Sequence, residues 1–313
     1  MTATKAWMAG TILLAALVVL ALSVGTQGFG WGDGGSLVLL RTPRVLAALA
    51  AGLALGIGGA TQQGVFRNPL ADPGLTGVFG GALFGIAILL GLSPESAWQR
   101  AWFIPAAAFA GALGTSALLT LVGSGGSAAR LLLAGLGLNA FTAAGTLVIA
   151  ARSGESRELL TNGAYGDWLG MATLELAWLP VALCLSATLL LLPLARPLDL
   201  LAFGEDAARG FGADVGGTRR RAVILTALAA AAATCLVGQV AFIGLLAPHL
   251  ARAVVGPRHA QALPLSALLG AALLVAADTL GRGLWPQAPL SAAAVTAVLG
   301  APLFIWIARR QHG

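Results

Sequence analysis

The sequence predicts an all-α integral membrane protein of about ten transmembrane helices, and three observations carry that prediction. Hydrophobic residues make up 58% of the 313-residue chain and charged residues 10%, against roughly a quarter charged in soluble domains. The apolar blocks recur, and they are long enough to cross a hydrocarbon core, which takes ~20 helical residues. No water is available there, so each backbone must satisfy its own hydrogen bonds, and helices follow. The third observation lies within the blocks, where 43 glycines and abundant alanine suit closely packed membrane helices.

Taken in order, the expected spans are 7–25, 45–64, 76–92, 103–122, 131–151, 174–195, 222–238, 240–255, 263–281 and 290–308. Together they make a single transmembrane domain over residues 1–313. The first span is signal-like, but no small-x-small cleavage site leads into a soluble domain, so a retained anchor is expected. Connections are short except 26–44, 152–173 and 196–221. Cys184 and Cys235 both fall inside spans, so neither a disulfide framework nor a metal site is implied.

Orientation follows from the basic residues near span ends. With both termini cytoplasmic, Lys5, Arg67, Arg130, Arg196, Arg209, Arg219, Arg220, Arg221, Arg252, Arg258, Arg309 and Arg310 lie inside, and Arg41, Arg44, Arg100, Arg152, Arg157 and Arg282 lie outside. Twelve against six favours that arrangement. Trp31, Trp98, Trp102, Trp168, Trp178 and Trp285 then fall near the outer interface, as belt residues do. An isoelectric point near 10.9 raises nucleic acid as a partner. Arginines scattered at span ends fit lipid phosphate and cytoplasmic loops better, so no nucleic acid is expected.

The connection Asp199–Arg221, DLLAFGEDAARGFGADVGGTRRR, concentrates eight of the chain's thirty Asp, Glu, Lys and Arg residues. A short helix from Gly204 to Gly210 fits, with Glu205 and Asp206 in its first turn and Phe211 just past a glycine stop. Arg209 stands four residues after Glu205, the spacing of a supporting ion pair. A rigid polar element between membrane blocks suits a docking surface on one side of the bilayer.

Arg41 and Arg44 lie three apart, and Arg282 follows Asp278 near the end of the ninth span. Two readings fit these outer arginines: snorkelling to lipid phosphates, or a basic rim for an acidic partner. The second span ends in TQQGVFRNPLADPGLTGVFGG, where Gln62, Gln63, Asn68 and Asp72 crowd a proline- and glycine-broken stretch. It is either a cytoplasmic hairpin turn or irregular backbone lining a substrate path. A second break, GQVAFIGLLAPHLARAVVGPRH, carries Pro248, His249 and Arg252. His249 has no ligating companions, so a cap or helix contact is expected there.

The sequence holds no GxxxxGK[ST] phosphate loop, HExxH, CxxC or GxSxG. No catalytic set emerges, and no resident cofactor is expected. Asp278 is the only acid well inside a span, so a chain of carboxylates for proton coupling is missing. A translocation path without its own energy source needs another subunit to supply the energy.

Several stretches together carry a resemblance: RTPRVLAALAAGLALGIGGATQQGVFRNPLADPGLTGV, LLLAGLGLNA, AFGEDAARGFGADV, VAFIGLLAPHLARAVVGPRHAQALPLSALLGAALLVAADTLGR and LGAPLFIWI. From about Arg41 to Trp306 the chain resembles the FecCD-type permeases of ABC importers for haem, iron-siderophores and cobalamin. The RNPLADPG and APHLAR blocks are the specific ones. The resemblance implies a ten-helix, type II importer permease in the bacterial inner membrane, working as a pair, most simply a homodimer. Two ATPase subunits holding ATP and magnesium would sit beneath it, and a periplasmic binding protein would dock above. It further implies that Arg41, Arg44 and Arg282 pair with acidic residues of the binding protein, replacing the lipid reading. Asn68 and Leu70 would form the cytoplasmic gate, with Ser127 in a second gate segment, Ser124–Arg130. Gly204, Glu205, Asp206, Ala207, Ala208, Arg209, Gly210, Phe211 and Gly212 would form the coupling helix on the ATPase.

Two departures bear on the cargo. GVFGG replaces the family's serine-containing GVSSG-like run, so Phe79 and Gly80 are expected to reshape the channel wall. Gly170-Met171 replaces a glycine-serine near the outer mouth. The glycine after proline in RNPLADPG points toward haem, with cobalamin or a ferric siderophore as the alternatives. From a different class, an ion-coupled secondary carrier would have to rely on Asp278, and an intramembrane enzyme lacks any nucleophile–base pair or metal set.

Overall fold

The computed structural model describes residues 3–25, 28–31, 35–74, 77–92, 103–123, 128–152, 160, 168–284 and 287–310. Ten longer helices thread these residues: α1 (Ala3–Ser23), α2 (Ser36–Phe66), α3 (Val78–Leu92), α4 (Phe103–Gly123), α5 (Ala128–Arg152) and α6 (Leu174–Leu191). After two short helices, α7 (Ala195–Leu201) and α8 (Glu205–Gly210), come α9 (Val215–Val237), α10 (Ile243–Val255), α11 (His259–Leu284) and α12 (Ala292–Arg310). Seven stretches are long and apolar enough to cross a membrane, and Val78–Leu92, Ile243–Val255 and Ala292–Pro302 are shorter apolar helices. Each expected span has its helix. The one β element among the described residues is a two-residue antiparallel pair, Val24–Gly25 with Gly28–Phe29.

The boundaries moved where hydropathy stops being informative. The second span, expected from residue 45, begins at Ser36, and Arg41, Pro43 and Arg44 are helical. Pro43, the eighth residue of the helix, leaves the Leu39 carbonyl without its i+4 donor, a loss that membrane helices tolerate when neighbouring groups or local adjustment answer it. The seventh span, expected from residue 222, begins at Val215 behind Asp214, whose Oδ1 accepts the Gly217 amide at 2.8 Å. That N-cap starts the helix while it is still polar, and Arg219–Arg221 ride on it outside the apolar segment.

Helix α2 is the axle of the bundle. Of its central membrane window 83% is buried inside the protein, against 22% for α1. Its partners reach it through glycine. A Cβ on Gly56 would strike the Ser266 carbonyl of α11, and one on Gly59 would strike Gly244 of α10. Lipid offers no hydrophobic push between helices, so such close backbone approach is where packing energy comes from. Side chains turned outward are apolar, as on α1 (Met8, Ile12, Val19) and α5 (Leu133, Leu136, Phe141).

At ~1.5 Å per residue, the 31 residues of α2 span about 46 Å, more than a ~30 Å hydrocarbon core. The helix therefore carries Arg41 and Arg44 on one membrane face, and Gln62, Gln63 and the turn after Phe66 on the other.

Of the six tryptophans expected at the interface, Trp31 and Trp178 are exposed but Trp168 is 7% exposed, packed in the main core. A 3-10 turn, Trp168–Met171, folds it inward. Trp98, Trp102 and Trp285 lie outside the described residues.

Gly56→Leu should lower the thermal midpoint of the solubilised protein by the equivalent of roughly 1–3 kcal/mol or more, because the added carbons meet backbone. Leu189→Ala on the lipid-facing side of α6 should leave the midpoint nearly unchanged in the same melting assay.

Candidate functional sites at the two ends of the bundle

At one end, three arginines border a cavity of about 180 Å³ lined by Leu37, Leu40, Arg41, Arg44, Leu169 and Arg282, among others. Asp278 on α11 is 1% exposed. Its Oδ1 accepts Arg44 Nε at 2.8 Å and Nη2 at 2.7 Å, and its Oδ2 lies 3.1 Å from Arg282 Nε. The pair joins α2 to α11. A buried carboxylate held by two cations is paid for by its geometry, whereas an unpaired one would cost several kcal/mol.

Arg282 and Arg41 spend their remaining donors on backbone. Arg282 reaches the Val24 and Ala21 carbonyls at 2.7 and 2.6 Å. Arg41 reaches Leu22, Gly30 and Gly28 at 2.8, 2.8 and 3.1 Å. These carbonyls belong to the frayed end of α1 and its β turn, where helix geometry leaves acceptors without partners. Arg41 and Arg282 are thus buried staples, while the Arg44 side chain retains 20% exposure toward the cavity. Asp278, the acid on which a coupled carrier would have to rely, is fully engaged in this cluster.

At the opposite end, α2 stops on Arg67 at φ 49°, a left-handed cap, residues 67–74 form turns, and Gly77 stands at φ 84° just before α3. The Asn68 Oδ1 accepts the Leu70 amide at 3.0 Å. Asn68 Nδ2 is buried and has no hydrogen-bond partner among the described residues, an uncommon state for a buried amide. Leu70 is half-buried against Leu245 and Leu246 of α10. Asn139 of α5 donates to the Gly74 carbonyl at 2.8 Å, fixing the turn from the other side. Gln63 bonds the Gly244 carbonyl at 3.2 Å and accepts from Arg252 of α10. Asn68, Ala71, Asp72 and Pro73 of the turn are buried, and three helices brace it, unlike a free surface hairpin. Ser127 lies outside the described residues.

Phe79 and Gly80, expected in a channel wall, are both buried. A Cβ on Gly80 would meet Thr142 and Asn139 of α5, so within this chain the position serves helix packing.

Beside that end lies α8, with Gly204 at φ 105° before it and Gly212 at φ 80° after it. The Arg209 guanidinium holds Glu205 at 2.9 Å and Asp206 at 3.0 Å. Arg219 of α9 reaches Glu205 at 2.6 Å, a link that sequence spacing could not reveal. Chiefly through the hydrogen bond from Arg219, and then through its charge, the Glu205 carboxyl is held below its ordinary pKa. Ala208 is buried, whereas Ala207, Phe203 and Phe211 face outward. Two phenylalanines about three-quarters exposed, 75% and 70%, frame a charge-clamped helix. Phe203 escaped the sequence reading because it precedes the helix.

The model of the FecCD transport family matches residues 11–310. The chain belongs to that family. It is 40% identical over 277 residues to the ferric enterobactin transport system permease protein FepD of Escherichia coli (strain K12), covering 87% of this chain and 81% of the relative. It is 38% identical over 283 residues to the hemin transport system permease protein HmuU of Yersinia pestis, covering 87% and 83%. A solved structure described as an inward-facing conformation of a metal-chelate type ABC transporter superposes with a TM-score of 0.82 at 27% identity, over 98% of this chain and 99% of the other. The all-α architecture is accordingly that of an ABC transporter permease, and this FecCD member is a multi-pass membrane protein.

Asp278→Ala should destabilise the protein by ~3–5 kcal/mol, because it strands the buried Arg282 charge; the melting midpoint in detergent reads this. Asp278→Asn, which keeps an acceptor, should cost visibly less.

A lowered pKa at Glu205 means that its contribution is present above the ordinary carboxylate range and is lost as pH falls through the folded-state value. The α8–α9 clamp should therefore hold through neutral and mildly acidic pH and loosen only in stronger acid. Hydrogen exchange at the α8 amides against pH checks this.

Proposed function

We propose that this chain is the permease subunit of an ATP-driven importer in the bacterial inner membrane, carrying haem or a related iron chelate inward. The observation that carries the reading is the family match over residues 11–310. The substrate is finer than that match, since the relatives' names include both enterobactin and hemin at nearly equal identity. The glycine after proline in the RNPLADPG block supports haem; cobalamin and ferric siderophore are the alternatives. The chain itself does no hydrolysis: two partner ATPases bind ATP and magnesium, and a second permease copy completes the path.

In this reading the α8 end is cytoplasmic, as are both termini, and the arginine end is periplasmic. The length of α2 supports opposite faces for the two. The binding protein docks over the cavity that Arg41, Arg44 and Arg282 line. Arg44 offers the exposed guanidinium, while Arg41 and Arg282 hold the rim in shape. An acidic side chain of the partner would meet a basic rim there, and such complementarity sets both orientation and association rate. Asn68 and Leu70 form the gate, with Ser127 in its second segment. The buried, unpartnered Asn68 amide supports this, because an orphan donor is tolerated where another chain or a cargo completes it.

Gly204–Gly212 is the coupling helix. Phe211 and Ala207 face the ATPase, with Glu205, Asp206 and Arg209 shaping the helix behind them. ATP-driven closure moves the wedge, and packed helices answer by rigid-body shifts.

The substrate reading is tested by adding haemin to the purified complex with its binding protein. A Soret band that co-elutes with the complex is expected, and a colourless complex overturns haem as the cargo. Phe211→Asp together with Ala207→Asp should release the ATPase subunits in a pull-down, because interface energy concentrates in buried anchors. Arg44→Gln, which keeps a donor for Asp278 but removes the charge offered outward, should weaken binding-protein docking about tenfold at low salt, ~1.4 kcal/mol for one lost charge pair, in protein whose melting midpoint is checked alongside.

A further inference from the structure

We infer that Asp199 and His259 form the link through which a displacement of α8 reaches the turn at the end of α2. The inference rests on the coupling role proposed above and adds two positioning residues to it. Neither was singled out by the sequence.

Helix α8 is not hinged freely to α7. Ala202, Phe203 and Gly204 donate to Leu198, Leu200 and Leu201 at 3.1, 3.2 and 3.0 Å, and Ala208 donates to Gly204 at 3.0 Å. Backbone hydrogen bonds thus run from one helix into the next, so the two move as a body. Asp199 stands on α7. Its Oδ1 accepts the backbone amide of His259 at 2.9 Å and the ring Nδ1–H at 2.7 Å. One carboxylate oxygen therefore caps the first turn of α11 and fixes the imidazole orientation at once. His259 is 8% exposed, in a place where a ring without such a partner would swing.

The far side of the ring faces α2. A Cβ on Gly64 would stand 2.8 Å from His259 Nε2 and 3.2 Å from Leu198 Cδ2. Gly64 lies in the last turn of α2, where its carbonyl accepts the Arg67 amide at 3.3 Å and the Gln63 carbonyl accepts the Asn68 amide at 3.1 Å. The sequence of contacts is short: α8, α7, Asp199, the His259 ring, Gly64, Asn68. Leu198 and Leu201 pack beside it against Ile57, Ala60 and Val65. Apolar packing permits sliding, whereas a directed hydrogen bond to a carboxylate fixes both distance and angle. The pair removes the play from a contact that leucines alone would leave loose.

The test uses the full transporter with its ATPase subunits in proteoliposomes, and a membrane-impermeant maleimide as the probe. Leu70→Cys is introduced with Cys184 and Cys235 replaced by alanine, and labelling is compared with and without ATP and magnesium. The parent should show a nucleotide-dependent change in labelling rate. Asp199→Ala, His259→Ala and Gly64→Ala should each shrink that change by about tenfold, as loss of a ~1.4 kcal/mol contact would. ATPase association and basal hydrolysis should persist in all three. The Asp199→Ala/His259→Ala pair should be no worse than either single change, since both remove one interaction. His259→Asn, whose side-chain amide can stand where Nδ1–H did, should restore most of the response.

Independent, additive losses overturn the link, as does a full response in the single variants. Failure of His259→Asn to rescue, or loss of ATPase association, assigns the pair a merely structural role and overturns it too. A parent without any nucleotide response removes the gate reading itself, and the link with it. A chain that never binds an ATPase removes the importer reading. These last two outcomes are told apart by the pull-down.

Discussion

A charge cannot stand alone in hydrocarbon, and most of this fold follows from how few charges it admits and how each is answered. Asp278 sits almost completely buried on α11 and is reached by Arg44 from α2 and Arg282 from its own helix. Arg282 and Arg41 then satisfy five backbone carbonyls around the end of α1. One carboxylate thus organises three helices and a β turn. Remove it and the two guanidiniums are left to repel each other across the α2–α11 seam.

The same constraint explains what was legible in the sequence. A span must be apolar and helical, so hydropathy located every long helix. It failed at the start of α2 and at the start of α9, where helix continues through Arg41–Arg44 and Arg219–Arg221 beyond the apolar run. Hydropathy reports solvent, not backbone. Local spacing identified the Glu205–Arg209 pair because four residues make one helical turn. Partners far apart in sequence, such as Glu205 with Arg219 or Arg252 with Gln63, leave no local pattern. Trp168 followed a composition rule for interfaces until a 3-10 turn carried it into the core.

The arginine cluster illustrates a subtler gap. Family resemblance treats Arg41, Arg44 and Arg282 as one kind of residue, facing an acidic partner. Their burial separates them: two are consumed by carbonyls and one retains an exposed edge. Under the proposed function, a docking carboxylate would compete with Asp278 for Arg44 instead of finding three free cations. Docking then would have an internal competitor, the Arg44–Asp278 pair.

Under the same proposal, that competition acts on the helix that leads into the gate. Helix α2 runs as one continuous helix from Arg44 to Phe66, beyond its single proline at Pro43. A rod of this kind transmits tilt and rotation well and local distortion poorly. Under the proposed function, loosening Arg44 from Asp278 would free one end to pivot about the glycine contacts with α11 and α10 near its middle. The other end would then shift against α7, His259 and the Asn68 turn. In the proposed importer, the binding protein and the ATPase would thus act on opposite ends of one lever, and the fulcrum would be the place where no side chain intervenes between backbones. Rigid packing at the centre is what lets two distant partners bias the same two arrangements.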